Sequence, residues 1–167
     1  MAITTEQIKA LRDLTGAGVM DSKKALEESN GDIEKAEQIL KAKGIEKIAG
    51  KSERETSEGL IHSYVHSGSR IGALVEINCE TDFVSRTPEF EELAHNLAMQ
   101  IAAMAPEYVD KSEIGKDEKR SAEEICLLQQ PFIRDNAQTI QDIVTEVAAK
   151  VGENIRVKRF ARFTLGE

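Results

Sequence analysis

The sequence predicts an α+β fold: a three-helix bundle at the N-terminus, then an antiparallel sheet with helices packed on one face. Three observations lead there. The first ~45 residues carry apolar residues at helical spacing, broken twice by glycine-containing turns. Residues 60–79 alternate in the strand period around the turn signal Ser67-Gly68-Ser69. Long helical stripes then lead into a last alternating segment at 155–165.

The bundle is read element by element. Thr4 and Gln7 have capping-box spacing, and Ile3 with Ile8 fits the hydrophobic staple. Ile8, Leu11 and Leu14 form a stripe that Thr15-Gly16-Ala17-Gly18 ends. A second helix over 19–29 is expected to bury Val19 or Met20 with Leu26 and to stop at Asn30-Gly31. Asp32 caps a third helix carrying Ile33, Ala36, Ile39 and Leu40, with Gly44 expected just past its end. A bundle this small has a small core and suits docking rather than catalysis. The expected domains are a docking module at 1–45, a charged linker at 46–58 and an α+β core at 59–167.

In the core, Ile71, Ala73, Val75, Ile77 and Cys79 share one strand face, with Gly72, Glu76 and Asn78 on the other. Phe90, Leu93, Ala94, Leu97, Ala98 and Ile101 fit a long helix that starts at Thr87-Pro88. A helix is expected over 118–129. Another begins after Thr139 and carries Ile140, Ile143, Val144, Val147, Ala148 and Val151 up to Gly152. The closing strand places Ile155, Val157, Ala161, Phe163 and Leu165 against Arg156, Lys158 and Arg162, with Arg159 as an exception on the apolar face.

Composition narrows the function. Of 167 residues 40% are hydrophobic, and glycine brings the apolar share to about 47%, enough for a core. Aromatics are 4% with no Trp, so aliphatic side chains must fill it. The net charge of −8 argues against a general nucleic-acid or anionic-membrane binder. Residues 55–110 hold two basic and ten acidic residues, while the flanking thirds are each neutral. This acidic middle either faces a basic partner or is a solvated surface. Two distant cysteines, no signal-peptide pattern at the start and no membrane-length apolar run lead to the expectation of a reduced cytoplasmic protein.

Several motifs fail on spacing. Gly50-Lys51-Ser52 lacks the glycine of a phosphate loop, since Ile45 stands where it is needed. Gly16-x-Gly18 follows a helix and continues to Asp21, so it is no dinucleotide fingerprint. His62 and His66 share a strand face but lie roughly 13 Å apart, too far for one ion. No metal, no cofactor, no catalytic residues and no covalent chemistry are therefore expected. A small enzyme using His62, His66 or Cys79 is the weakest reading, because nothing nominates a substrate.

Asn78-Cys79-Glu80-Thr81-Asp82-Phe83-Val84 joins the central strand to the long helix. Thr81 or Asp82 can cap a helical turn there while Phe83 and Val84 tuck into the core. Alternatively the Asp-Phe pair projects, as interface anchors do. The stretch Thr81-Asp82-Phe83-Val84, together with Leu14-Thr15-Gly16-Ala17-Gly18-Val19-Met20-Asp21-Ser22-Lys23-Lys24-Ala25-Leu26, closely resembles the bacterial elongation factor Ts family. Asn30-Gly31-Asp32, the hairpin from Tyr64 to Gly72, Gln130-Pro131-Phe132 and the C-terminal run from Gly152 are similar as well. The resemblance spans essentially the whole chain and corresponds to the short form with a single core module.

That resemblance implies a guanine-nucleotide exchange factor for elongation factor Tu, one that binds the GDP form and leaves when GTP binds. It implies that the N-terminal bundle is ubiquitin-associated-like and docks through Arg12, Val19 and Met20, where Val19 replaces the family's commoner Met. Thr81, Asp82, Phe83 and Val84 would enter beside the partner's magnesium and displace it, and His66 would touch a second domain of the partner. A homodimer formed through the sheet that ends at Leu165 is implied, with no direct nucleic acid and no membrane. The competing reading is a binding module unrelated to GTPases, acting through residues 1–45 alone and indifferent to Asp82 and Phe83.

Overall fold

In the computed structural model, which describes residues 3–167, helix α1 (Thr5–Thr15) begins with a reciprocal cap. Gln7 N donates to Thr4 Oγ1 (3.2 Å) and Thr4 N donates to Gln7 Oε1 (3.0 Å). Gly16, at φ 68°, ends the helix in the left-handed region. Helices α2 (Val19–Glu28) and α3 (Ile33–Ala49) follow, the latter capped by Asp32, whose Oδ1 accepts from Lys35 N at 3.1 Å. Leu11, Ala25, Leu26, Ala36 and Leu40 are its buried core, with Ile3, Ile8, Ala17, Ile33 and Ile39 against them. This compact unit reaches Glu53 and takes in Ala148–Glu153.

Three expectations fail here. Leu14, Val19 and Met20 are exposed rather than part of the core; only Leu26 of the expected Val19/Met20–Leu26 set is buried. Periodicity marks a stripe but not how much of it a small bundle can cover. Gly44 does not end its helix, which runs on through 46–49. A Cβ at Gly44 would lie 3.1 Å from the Ala149 Cβ, so the glycine permits a close approach instead of a stop.

The second unit comprises residues 54–147 and 154–167. In chain order it holds β1 (Glu58–Val65), β2 (Ile71–Cys79), α4 (Asp82–Ser85), α5 (Pro88–Met104), α6 (Ala122–Ile125), β3 (Pro131–Phe132), β4 (Asp135–Thr139), α7 (Ile140–Val151) and β5 (Arg156–Thr164), the last turn of α7 belonging to the first unit. Strands β1, β2 and β5 form an antiparallel sheet in the order β1-β2-β5, and β3 pairs with β4. Helix α5 packs on β1 and β2. All six predicted apolar residues of α5 are buried, as are Ala73, Val75, Ile77 and Cys79. Thr87 caps α5 through Phe90 N (3.3 Å), and Thr139 caps α7 through Asp142 N (3.2 Å). No helix among the described residues is long and apolar enough to cross a membrane.

The single helix expected over 118–129 is instead α6 and a 3₁₀ turn at Leu127–Gln129. Leu127 N and Leu128 N donate to Tyr108 O and Val109 O (2.9 and 3.0 Å), so a neighbouring segment takes donors a helix would keep. Before α6, Arg120 pairs with Glu107 and Glu118, and its hydrogen bonds pull the Glu118 carboxyl down to about 2. Buried Gln100 holds the 130–133 segment, donating to Gln130 Oε1 and Pro131 O and accepting from Ile133 N.

The closing strand forms, but its faces differ from the expected ones. Glu76 pairs with Arg159 and Ile77 with Val157, so Lys158 is an extra residue. This bulge reverses the alternation. Arg159, Ala161, Phe163 and Leu165 therefore share the outer face, while Phe160 and Arg162 turn inward with Val157. Arg162 Nε donates to Ala102 O of α5 (3.1 Å), as an inward residue must.

Gly59, the second residue of β1, has φ 150°, and a Cβ there would lie 2.1 Å from Ile77 O. The obstacle is backbone of the neighbouring strand and cannot swing aside. Gly59→Ala is expected to cost about 2 kcal/mol or more in chemical denaturation, beyond any entropic gain.

Candidate functional site

The corner between β2 and α5 is built from below. Cys79, fully buried, donates its Sγ–H to Thr81 O at 3.1 Å. Glu80 accepts from Asn154 N (2.7 Å) and pairs with Arg54 (3.2 Å), and Asn154 Nδ2 donates to Arg54 O (2.9 Å). Thr81 is the extended residue that leads into α4. Ser85 Oγ donates to Asp82 O (2.9 Å), and Thr87 Oγ1 donates to Val84 O (2.8 Å). A one-turn helix is thus braced at both ends.

Val84 tucks into the core, while Phe83 points out and is 81% exposed. It is the most exposed large apolar side chain among the described residues. The corner therefore divides between the two sequence readings, with Val84 inside and Phe83 projecting. Asp82 is half-exposed beside it and pairs with Arg86 (Nη2–Oδ2 2.8 Å).

In the first unit, Leu14, Val19 and Met20 are exposed on either side of the turn at 15–18. Arg12 is exposed one turn before that bend. The sequence places Leu14 in one apolar stripe with Ile8 and Leu11, yet its side chain is exposed. Its exposure depends on where the small core stops, and no local signal reports that.

His66 is exposed after β1 and opens the hairpin turn, with its N donating to Ile71 O (2.9 Å) and its Nδ1 in contact with Tyr64 Oη (3.0 Å). Tyr64 also lies edge-on to His95, whose Nδ1 is 3.2 Å from His62 Nε2. Burial, then the charge of His95, push the His62 pKa down, against a smaller upward pull from Glu91. His95 on α5 was missed because its neighbours are distant in sequence. Among the described residues no group of three His, Cys, Asp or Glu side chains is arranged to hold a metal ion.

A sequence profile of the family described as Elongation factor TS matches residues 4–121 and 115–167. The chain is 46% identical over 195 residues to Elongation factor Ts of Moorella thermoacetica, covering 99% of this chain and 96% of the relative. It is 46% identical to that of Thermosipho melanesiensis, covering 99% and 100%, and 45% identical to that of Coprothermobacter proteolyticus, covering 100% of both. These relatives place the chain among translation elongation factors. It belongs to the elongation factor Ts family, and its role is nucleotide exchange in translation elongation. The alignments are longer than this chain, and the two profile matches meet at 115–121, the loop in which Arg120 binds Glu118. The relatives' additional residues have no counterpart in this short chain.

Proposed function

We propose that the chain is the exchange factor of elongation factor Tu, binding its GDP form and inserting the corner Thr81, Asp82, Phe83 and Val84 beside its magnesium site. The observation that carries this reading is Phe83, 81% exposed on a braced corner with a carboxylate beside it. An exposed phenyl ring forgoes about 2–3 kcal/mol of burial, which docking recovers. Tight nucleotide binding in such GTPases rests on magnesium and ordered switch loops. A wedge that favours the magnesium-free arrangement weakens nucleotide binding, and nucleotide weakens wedge binding by the same factor. GTP entry then releases the factor. No covalent step is involved.

The exposed Val19 and Met20, with Arg12, supply the first unit's contact, and His66 supplies another from the hairpin turn. The reading is tested by release of a fluorescent GDP analogue from elongation factor Tu, with wild type beside Asp82→Ala/Phe83→Ala.

The outer sheet face supports a homodimer. Ile61, Val65, Leu74, Phe163 and Leu165 are exposed, and the register places Val65, Gly72 and Phe163 in one row with Leu74 and Ala161 in the next. Pairing two such faces covers them. Light scattering is expected to give twice the 18.4 kDa chain mass for wild type. Leu74→Glu/Phe163→Glu is expected to give the single mass, and a wild-type monomer at micromolar concentration contradicts the dimer.

A further inference from the structure

His62 and His95 meet in the second unit although they are far apart in sequence, and Tyr64 touches both His95 and His66. His62 comes from β1 and His95 from the middle of α5. Their rings stand edge-on (86°, centroids 5.4 Å apart), with His62 Nε2 3.2 Å from His95 Nδ1. Tyr64 braces the pair, its ring edge-on to His95 at 5.7 Å and its hydroxyl on His66.

Two imidazoles that meet nitrogen to nitrogen can share a proton or a metal ion. We propose that His62 Nε2 and His95 Nδ1 form a two-imidazole site for a divalent transition ion of the zinc class, with water completing its shell. Zinc holds imidazole nitrogen at ~2.0–2.1 Å, and a tetrahedral angle then sets two nitrogens about 3.3–3.4 Å apart, close to the observed separation. The donors sit on a strand and a helix packed on each other, so the arrangement is largely formed before an ion arrives. Partial burial of His62 favours its neutral form, the form that ligates. Glu91 lies one helical turn before His95, and residues 55–110, which contain both ligands, carry ten acidic residues against two basic. That surplus favours a cation.

Two protein ligands make an exchangeable site rather than a permanent structural one. Imidazole selects zinc, copper and nickel over magnesium, which prefers oxygen. The ion at this site is therefore distinct in chemistry from the magnesium of the partner. Bound, it would tie β1 to α5 next to the His66 turn.

The test is calorimetric titration of the full chain with zinc chloride in chelator-free buffer, with magnesium chloride as control. One zinc per chain is expected at micromolar affinity, with no magnesium binding. Affinity should fall about tenfold or more in His62→Gln and in His95→Gln, and persist in His66→Gln. Absence of saturable zinc binding, unchanged affinity in both pair variants, or equal loss in His66→Gln overturns the site and leaves a proton-sharing pair. Should a pair variant fail to fold, the wild-type ring resonances decide. Those of His62 and His95 must shift first as zinc is added; shifts confined to His66, or none, overturn the proposal.

Discussion

Asp82→Ala/Phe83→Ala is expected to lower the acceleration of GDP release about 30-fold or more, while association with elongation factor Tu stays measurable. The size follows from burial: an 81% exposed phenyl has most of its area left to lose on docking, and a hot-spot truncation costs about 2 kcal/mol or more. The variant should fold normally. Removing Phe83 opens no cavity, and the Asp82–Arg86 pair is an exposed contact worth about 1 kcal/mol at most. Thermal unfolding should therefore barely change, which separates a lost wedge from a lost fold. Partner binding by the first unit's apolar surface is expected to survive.

Phe90→Ala is expected to lower stability by about 3–5 kcal/mol, because the phenyl is fully buried and the alanine leaves a cavity. For a chain of this length that corresponds to a fall in melting temperature of about 10 °C. Phe90 sits in the first turn of α5, where the Oγ1 of the cap residue Thr87 accepts from Phe90 N and donates to Val84 O. Loss of Phe90 packing therefore loosens the base of the corner as well as the core. Calorimetry should show the lower midpoint, and exchange activity should fall more steeply with temperature than in wild type.

Much of this was legible in the sequence. The caps at Thr4, Asp32, Thr87 and Thr139 are local, and each forms. The hairpin and the apolar stripe of α5 follow from period alone. What was hidden depends on contacts between distant residues. Gly44 looks like a stop and is a close approach to Ala149. The apolar face of β5 was assembled from both sides because the bulge at Lys158 shifts the alternation and leaves no local mark. Val19 and Met20 have the spacing of core residues and are exposed. At the corner, pattern could not decide between a buried and a projecting phenylalanine, and the fold buries Val84 while projecting Phe83. The His62–His95 contact joins residues from different elements, and strand spacing excluded only the His62–His66 pair.

The most direct measurement is stopped-flow release of a fluorescent GDP analogue from elongation factor Tu at fixed magnesium, with increasing wild-type chain and excess unlabelled GDP. The release rate is expected to rise with factor concentration and then saturate, and less than one equivalent should suffice for full release. A release rate independent of the chain, at concentrations where the two proteins demonstrably associate, would contradict it and leave a docking module without exchange activity.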